Sequence, residues 1–381
     1  MLGEHGQGGG AFPASFCAMP RPALSDFYSF VLTLGLATLG GGAATMLGLP
    51  AGWLMGSALA VTLAAMMGLP IRMPNWLRDV IFVLIGMSMG ASVAPDSLSL
   101  LASWPISLAA LAIELVIIIA ATGWMLTRLF GLDAGTAYLS SFPGHLSLVL
   151  GIAASGVGNP RQIVIIQVIR IFMLTIAVPV MAMFLPLGDG LAQVSMGVMS
   201  PVQLILLAAG CVAVGLVFNK LKIPAGMVLG AMAAATVAKL GGLYVETMPE
   251  PLMVITFVLT GVLIGSRFVG ITRSEFLSAA KGGLIATAMT VGICTAITLV
   301  VAQFVDMPFG QIWLGLAPGA IEGMGALGIA LGYDTAFIAA HHVVRLLMLS
   351  FAIPTVVMLV RWQEKAAQNR KAGGSPDPKG S

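Results

Sequence analysis

The chain has 381 residues, of which 58% are hydrophobic and only 9% are charged, and its net charge at pH 7 is +3. Soluble domains carry about a quarter charged residues, so this composition excludes a soluble protein. A net charge this small gives no reason to expect a nucleic-acid partner. Apolar runs near 20 residues recur along the chain, and each is long enough to cross about 30 Å of hydrocarbon. We therefore expect an all-α polytopic membrane protein.

The predicted elements divide the chain into tails, repeats and a linker. Residues 1–25 are rich in glycine and proline and residues 363–381 are polar and basic, so we predict that both are disordered tails. Between them we predict a first membrane repeat at 26–187, a linker at 188–199 and a second membrane repeat at 200–362. The apolar segments lie near 28–48, 51–69, 76–93, 103–130, 134–157 and 162–185, and then near 202–218, 224–240, 252–268, 279–304, 309–332 and 336–361.

The two predicted repeats share sequence at a nearly constant spacing. The stretch "PAGWLMGSALAVTLA" from Pro50 matches "PAGMVLGAMAAATVA" from Pro224 at seven of 15 positions. An offset of 175 residues then relates Gly86 to Gly261, Gly90 to Gly265, Pro143 to Pro318, Gly144 to Gly319 and Arg170 to Arg345. Composition alone does not produce this register of proline, glycine and arginine, so we interpret the two halves as an internal duplication.

The fifth segment of each repeat is interrupted by a Pro-Gly pair. Proline removes a backbone donor and disfavours helix in the residue before it, and glycine adds backbone freedom. We therefore predict two short helical arms in each segment, at 134–142 and 144–157 in the first repeat and at 309–317 and 319–332 in the second. The first arm of each pair is about 14 Å long, which is half the thickness of a membrane.

The broken segments allow two topologies. If each turns back as a re-entrant hairpin, every repeat has five transmembrane helices and the second repeat is inverted relative to the first. With both termini cytoplasmic, almost all loop arginines and lysines then lie inside, as the positive-inside rule requires. If the segments instead cross as discontinuous helices, many of these cations move outside. The charge distribution favours two inverted repeats in a bacterial inner membrane, and discontinuous crossing helices are the alternative.

Broken segments at corresponding positions of inverted repeats indicate a transport site. In the re-entrant arrangement both Pro-Gly tips and two arginines, Arg170 and Arg345, converge near the middle of the membrane. Arginine holds a carboxylate or phosphate with a bidentate fork, so we predict a site that attracts an anion. The candidate substrate-binding residues are Pro143, Gly144, His145, Ser147, Gln167, Arg170, Pro318, Gly319, Glu322, His342 and Arg345.

Two glutamates in apolar segments are candidates for ion coupling. We expect Glu322 to pair with Arg345 and Glu114 to pair with Arg170, and either carboxylate can carry a proton. Each residue of the site also has a structural interpretation. The arginines then clamp each hairpin to the next helix, the glutamates are buried ion-pair partners, and the polar residues three positions before each arginine make interhelical hydrogen bonds.

Three stretches carry a family resemblance. "LPAGWLMGSAL", "FPGHLSLVLGIAASGVGNPRQIVIIQVIRI" and "APGAIEGMGALGIALGYDTAFIAAHHVVRLL" resemble the AbrB family of bacterial integral membrane proteins, over about residues 26–362. The family is defined by a membrane duplication, and its members are often labelled ammonia monooxygenases. The resemblance implies a relation to inverted-repeat cation/proton antiporters and anion transporters, with a panel of helices that supports a moving core. It implies no substrate. Where members often have Pro-Gly-Gly, this chain has His145 and Ala320 after its Pro-Gly pairs.

These observations leave several functions open. The leading hypothesis is a secondary transporter that moves a small anionic or amphoteric solute by alternating access, coupled to protons or Na⁺. The alternatives are a cation/proton antiporter and a membrane sensor or regulatory scaffold without transport. An enzyme is not expected, because copper or iron chemistry needs several ligands and the four histidines lack ligand spacing. We expect the bilayer and a small solute as partners, with no cofactor or metal, and a homodimer is compatible with the sequence.

Overall fold

The computed structural model of the chain describes residues 24–49, 51–93, 104–144, 146–154, 156–182, 197–223, 225–271 and 273–372. Within these ranges the regular elements are helices, apart from one bridge between Val198 and Thr247. The first half contains α1 (Leu24–Met46), α2 (Gly52–Met66), α3 (Asn75–Ala91), α4 (Trp104–Phe130), α5 (Ala134–Ser141), α6 (Leu146–Ala154) and α7 (Pro160–Ala182). The second half contains α8 (Pro201–Lys220), α9 (Gly226–Leu240), α10 (Glu250–Gly265), a 3₁₀ turn (Ser266–Phe268), α11 (Arg273–Val301), α12 (Phe309–Leu316), α13 (Ile321–Leu331) and α14 (Thr335–Ala372).

Helices long and apolar enough to span a membrane occur in both halves. There are six of them among the described residues, at Asp26–Met46, Trp104–Phe130, Pro201–Lys220, Glu250–Phe268, Ala280–Val301 and Thr335–Trp362. Large apolar side chains point away from the protein on these helices, for example Leu206 on α8 and Phe351 on α14. Such a surface is unfavourable in water and suits lipid. The prediction of an all-helical, multi-pass membrane protein is confirmed.

Glycines bring the two halves into direct backbone contact. A Cβ atom on Gly86 of α3 would lie 2.3 Å from the carbonyl oxygen of Val228 in α9, and one on Gly261 of α10 would lie 1.8 Å from Oγ of Ser57 in α2. Only glycine permits this approach, which is how helices pack closely in membranes. The two halves therefore pack against each other at two helix pairs, α3 with α9 and α10 with α2. Helix α1 packs on α2, and α8 packs on α9.

Both Pro-Gly segments fold back on themselves. The amide N–H of Asn159, which follows the second arm, donates to Oγ1 of Thr136 in the first arm at 2.7 Å. In the second half the amide of Asp334 donates to Oε1 of Gln311 at 3.1 Å. The beginning and end of each segment therefore lie side by side. We call 134–154 hairpin 1 and 309–331 hairpin 2, and their arms agree closely with the prediction.

Each hairpin packs against the helix that follows it, and hairpin 1 also contacts α14, the helix that follows hairpin 2. Helix α5 contacts α7, and α12 contacts α14. At the tip of hairpin 1, Gly144 has a φ angle of 122°, and a Cβ there would lie 3.6 Å from Leu346 and Leu349 of α14. Trp313 of hairpin 2 is fully buried and donates to Oγ1 of Thr295 at 3.0 Å. The tips therefore end inside the protein rather than at its surface.

The predicted tails and linker are only partly described. Residues 1–23, 183–196 and 373–381 lie outside the described residues. Helix α1 begins within the predicted N-terminal tail, and α14 continues to Ala372. The predicted bounds of the tails, the linker and the two repeats stay predictions. The last stretch of α14, "WQEKAAQNRKA", consists mostly of good helix formers, which extend an existing helix.

Candidate functional site

The breaks in the hairpins leave helix ends inside the protein. The last carbonyl groups of a helix have no intrahelical partner and carry partial negative charge. Arg170 donates from Nη2 to the carbonyl oxygen of Phe142 at 2.8 Å, just after the end of α5. Arg345 donates to the carbonyl oxygens of Ala317 and Gly319 at 2.6 Å each, just after the end of α12. Each arginine thus neutralises the end of a broken helix.

A second polar contact accompanies each arginine. Gln167 donates from Nε2 to the carbonyl oxygen of Leu139 at 3.2 Å, and His342 makes the same contact with Leu314 at 3.0 Å. Donors and acceptors in the two halves are related by the offset of 175 found in the sequence. The duplication therefore extends to individual hydrogen bonds.

Both ring nitrogens of His342 are engaged. Its Nε2 lies 3.0 Å from the carbonyl oxygen of Leu314, and its Nδ1 contacts the guanidinium of Arg345. The carbonyl of Gly319, which accepts from Arg345, is also near the ring. His342 and Arg345 therefore hold the break of hairpin 2 together.

The predicted arginines do come together. Arg170 and Arg345 are both buried and lie near enough to act on each other electrostatically. Their donors are directed at backbone carbonyls, as the clamp interpretation requires. A direct contact of either arginine with a bound anion stays a prediction.

Glu322 has a different partner from the one expected. Its Oε1 lies 2.5 Å from Nη2 of Arg267, so the predicted pair with Arg345 was wrong. Glu322 lies in the first turn of α13 and faces the 3₁₀ turn after α10, whereas Arg345 is held by the end of α12. The sequence contained a signal for this pair. At the offset of 175, the residues equivalent to Arg267 and Glu322 are both serine, Ser92 and Ser147, so both charges belong to the second repeat alone.

Glu114 is buried without the expected arginine. Only 1% of its surface is exposed, and neither carboxylate oxygen has a hydrogen-bond partner of normal geometry among the described residues. The thiol of Cys294 and the guanidinium of Arg345 are the groups that act on it electrostatically. The predicted pair between Glu114 and Arg170 was therefore wrong, because Arg170 is directed at the end of α5.

The remaining candidates are less informative. His145 and the side chain of Ser147 lie outside the described residues, and Pro143 and Pro318 are buried at the breaks. His341 faces another direction from His342, with Nε2 2.8 Å from Oγ of Ser107 in α4. Within the described ranges, no cluster of three or more His, Cys, Asp or Glu residues is arranged to hold a metal ion.

A narrow cavity of about 40 Å³ lies at the tip of hairpin 2. We call it the central cavity. Helices α2 and α10 form one wall, and α7 and α13 form the other. It is lined by Leu54, Met55, Ile171, Leu174, Ile264, Arg267, Gly319, Ala320, Gly323, Met324 and Leu327. Arg267 is the charged residue of this set, and sequence reasoning did not identify it as a site residue.

A second, larger and more open cavity of about 540 Å³ lies beside hairpin 1, and we call it the side cavity. It is lined by Leu150, Ala154, Pro160, Arg161, Val164, Ile165, Arg267, Val269, Gly270 and Ile271. Arg267 lines both cavities. One partner of the ion pair between Arg267 and Glu322 therefore borders both cavities.

Comparison with known proteins gives a consistent family. Residues 53–361 match the family AbrB, described as "Transition state regulatory protein AbrB". The chain is 26% identical over 318 residues to "Putative regulator AbrB" of Escherichia coli (strain K12), which covers 82% of this chain and 90% of that protein. It is 22% identical over 375 residues to "Uncharacterized protein YhjN" of Bacillus subtilis (strain 168), which covers 89% and 95%. The family match spans both hairpins and both clamping arginines, and the chain belongs to the AbrB family.

Proposed function

We propose that the protein is a secondary transporter of the bacterial inner membrane that moves a small anionic or amphoteric solute by alternating access. The observation that carries the proposal is the pair of broken hairpins whose tips end inside the protein, one of them at the central cavity. Irregular backbone at membrane depth is tolerated where it is buried in protein or lines a cavity, and transporters place their solute sites there.

An inverted arrangement of the repeats is supported by helix directions. Contacts of α3 with α9 advance from Gly86 against Val228 to Gly90 against Met232, so these helices run parallel, and α10 with α2 behaves likewise. Consecutive helices α2 and α3 are joined by a short loop, which favours opposite directions. The equivalent helices α2 and α9 would then run in opposite directions, as in an inverted repeat.

The distribution of charge supports an assignment of the cytoplasmic side. Met73 contacts Ser266 at 3.8 Å, so the loop before α3 lies at the same end as the turn after α10. These two segments carry Arg72 and Arg267, and the side cavity at this end carries Arg161. By the positive-inside rule we assign this end, and with it both termini, to the cytoplasm.

In this proposal the polar residues have separate tasks. Arg170 and Arg345 hold the hairpin tips in fixed shape, because their donors satisfy carbonyls that lipid or an apolar interior cannot. Arg267 meets the solute, since it lines both cavities. Its ion pair with Glu322 closes the path from the side cavity to the central cavity. Glu322 and Glu114 are the candidate carriers of a coupled proton, and Na⁺ is the alternative coupling ion.

Two other functions have specific support. The buried carboxylate of Glu114, which has no hydrogen-bond partner of normal geometry among the described residues, favours a cation/proton antiporter. The Escherichia coli relative is named a putative regulator, which favours a regulatory role that a membrane sensor with a ligand site would fill. A sensor binds its ligand without moving it across the membrane.

A solute panel tests transport directly. Purified protein in liposomes is offered carboxylates, sulfonates, phosphates, amino acids, amines and alkali cations, and accumulation is compared with that in protein-free liposomes. Binding is measured on the same sample by thermal stabilisation. We expect one amphoteric or anionic class to accumulate. Binding of a class that never accumulates would reject the transporter in favour of the sensor, and exchange of only cations for protons would favour the antiporter.

A further inference from the structure

The side cavity is large enough for a small organic molecule. Its volume is about 540 Å³, compared with about 40 Å³ for the central cavity, and sites for small molecules usually have about 300–1,000 Å³. Three parts of the fold form its wall, namely the second arm of hairpin 1, the beginning of α7 and the stretch that follows α10. A small solute therefore fits in the side cavity as the structure stands.

The charged residues of this cavity are both arginines. Arg161 lies in the first turn of α7 and Arg267 in the 3₁₀ turn after α10, and no aspartate or glutamate among the described residues lines the cavity. Arg267 uses Nη2 in its contact with Glu322, and a guanidinium has five N–H donors, so this pair does not use them all. Arginine holds carboxylates and phosphates with two parallel hydrogen bonds. The cavity therefore suits an anion.

The local sequence places Arg161 at the edge of the cavity. Pro160 begins α7, and Oδ1 of Asn159 accepts from the amide N–H of Arg161 at 3.0 Å and from that of Gln162 at 3.3 Å. Proline as the first residue of a helix and asparagine before it are both favourable there. Helix α7 therefore begins at the cavity, and its first turn adds partial positive charge to that of the two arginines.

The duplication does not impose this positive charge. At the offset of 175, the residues equivalent to Arg161 and Arg267 are Ala336 and Ser92. The positive-inside rule accounts for cations near one face of the membrane. It does not require that two of them, from different halves of the chain, border one cavity. A binding site for an anion does require it.

The rest of the wall favours an organic anion over an inorganic one. The other lining residues are apolar, and most are aliphatic, such as Leu150, Val164 and Ile271. An inorganic anion gains nothing from such a wall, whereas the apolar part of an organic anion is stabilised when it leaves water. The cavity therefore has a place for a charged head group at its arginines and for an apolar body beside them.

We propose that the side cavity binds an organic anion with one negatively charged head group and an apolar body. The head group would accept hydrogen bonds from Arg161 and Arg267, and the body would lie along the aliphatic wall. This narrows the solute from anionic or amphoteric to anionic, because no carboxylate of the described residues lines the cavity to hold an ammonium group. The inference rests on the proposed function in making this anion the transported solute.

Three ligands separate the head group from the body. Hexanoate has both, acetate has the head group with little body, and hexylamine has the body with the opposite charge. Each is offered by equilibrium dialysis to the purified full chain in phosphatidylcholine nanodiscs, and uptake by protein-free nanodiscs is subtracted. We expect hexanoate to bind at least about tenfold more tightly than acetate, since two buried methylene groups already contribute that factor. Hexylamine should not compete with it. Equal binding of hexanoate and hexylamine, or no binding of hexanoate, would overturn the inference.

The same dialysis distinguishes a dissolved anion from the head group of a lipid. Phosphatidylglycerol replaces part of the phosphatidylcholine in the nanodiscs. We expect the affinity for hexanoate to fall by no more than about threefold, which is the effect of a negative membrane surface on a monovalent anion. Complete loss of hexanoate binding would assign the cavity to an anionic lipid and reject the dissolved anion.

Variants of the arginines test the contact with the head group. Arg161→Gln should weaken hexanoate binding at least about fivefold, since it removes a charged donor. Arg267→Gln is combined with Glu322→Gln, so that no buried carboxylate loses its cation, and should weaken binding similarly. The matched control is Arg72→Gln, which removes an ion pair with Asp26 outside the cavity and should leave the affinity unchanged. Equal weakening in all the variants, or weakening in none, would contradict the assigned head-group site.

Ala154 provides a test of the apolar wall. It is exposed and lines the cavity, so Ala154→Phe should fold and extend a larger side chain into the cavity. We expect this variant to bind hexanoate at least about fivefold more weakly, and an unchanged affinity would refute the assigned wall. If a variant does not fold, the ligand series on the wild-type protein still decides.

The binding site and the transport function fail separately. Binding of hexanoate without its accumulation in liposomes would keep the site and reject the transporter. Accumulation of a solute with which hexanoate does not compete would keep the transporter and reject the site.

Discussion

Replacing Arg345 by methionine measures what the clamp on hairpin 2 contributes to stability. Arg345 is 2% exposed and donates to the carbonyl oxygens of Ala317 and Gly319 at 2.6 Å each. Hydrogen bonds from a charged donor contribute about 1.5–3 kcal/mol each, although hydrogen bonds between membrane helices average nearer 0.6 kcal/mol. Removing a buried charge offsets part of this loss. We therefore expect Arg345→Met to lower the free energy of unfolding by about 2–4 kcal/mol.

The equivalent arginine is the internal comparison. Arg170 makes one short contact, 2.8 Å to Phe142, and one long contact, 3.5 Å to Ser140, so Arg170→Met should cost about half as much. In Arg345→Lys a single ammonium group replaces the guanidinium fork and should recover about half of the loss. Denaturant titration in mixed micelles gives the three free energies. A loss below about 1 kcal/mol for Arg345→Met, or a larger loss for Arg170→Met, would refute the clamp.

The remaining predictions use the same titration. Gly261→Ala should lower the free energy of unfolding by about 1–3 kcal/mol, because its Cβ would overlap α2. Gly292→Ala is the control, since a Cβ there would meet nothing within 4 Å, and it should be neutral or slightly stabilising. Equal effects of the two variants would contradict the contact between α10 and α2. Gln311→Leu leaves the amide of Asp334 without its acceptor and should cost about 1–2 kcal/mol, and no loss would argue against the closed hairpin. Backbone N–H groups hold the pKa of Glu246 below its usual 4.5. Its stabilisation is therefore present above that pH and lost as pH falls through the lower folded value, so Glu246→Gln should lose less stability on acidification than the wild type.

The duplication in the sequence anticipated much of the architecture. An offset of 175 relates the Pro-Gly pairs and the arginines in the sequence, and the structure repeats contacts at the same offset. The contact of Gln167 with Leu139 and that of His342 with Leu314 have this spacing. The arms of the hairpins were also predictable, since proline and glycine act on the local backbone regardless of tertiary context.

The ion pairs were not predictable in the same way. From the sequence, we paired each arginine with a glutamate. However, a helix that ends inside the protein leaves carbonyl groups without partners, and these carbonyls also need donors. Arg345 is used for that purpose, and Glu322 instead meets Arg267 from another part of the fold. Which way a side chain faces depends on packing between distant segments, and a pattern of residue types does not contain that information.

Cysteine accessibility at the tip of hairpin 2 tests alternating access most directly. Ala320 lines the central cavity and is half-buried, so Ala320→Cys is introduced into a chain whose native cysteines, Cys17, Cys211 and Cys294, have been replaced. Asp306→Cys and Lys220→Cys mark the proposed outside and cytoplasmic faces. A membrane-impermeant thiol reagent is then applied from each side in turn. The account predicts that Ala320→Cys reacts from both sides while each marker reacts from one. Reaction of Ala320→Cys from one side only, with both markers behaving as assigned, would contradict it.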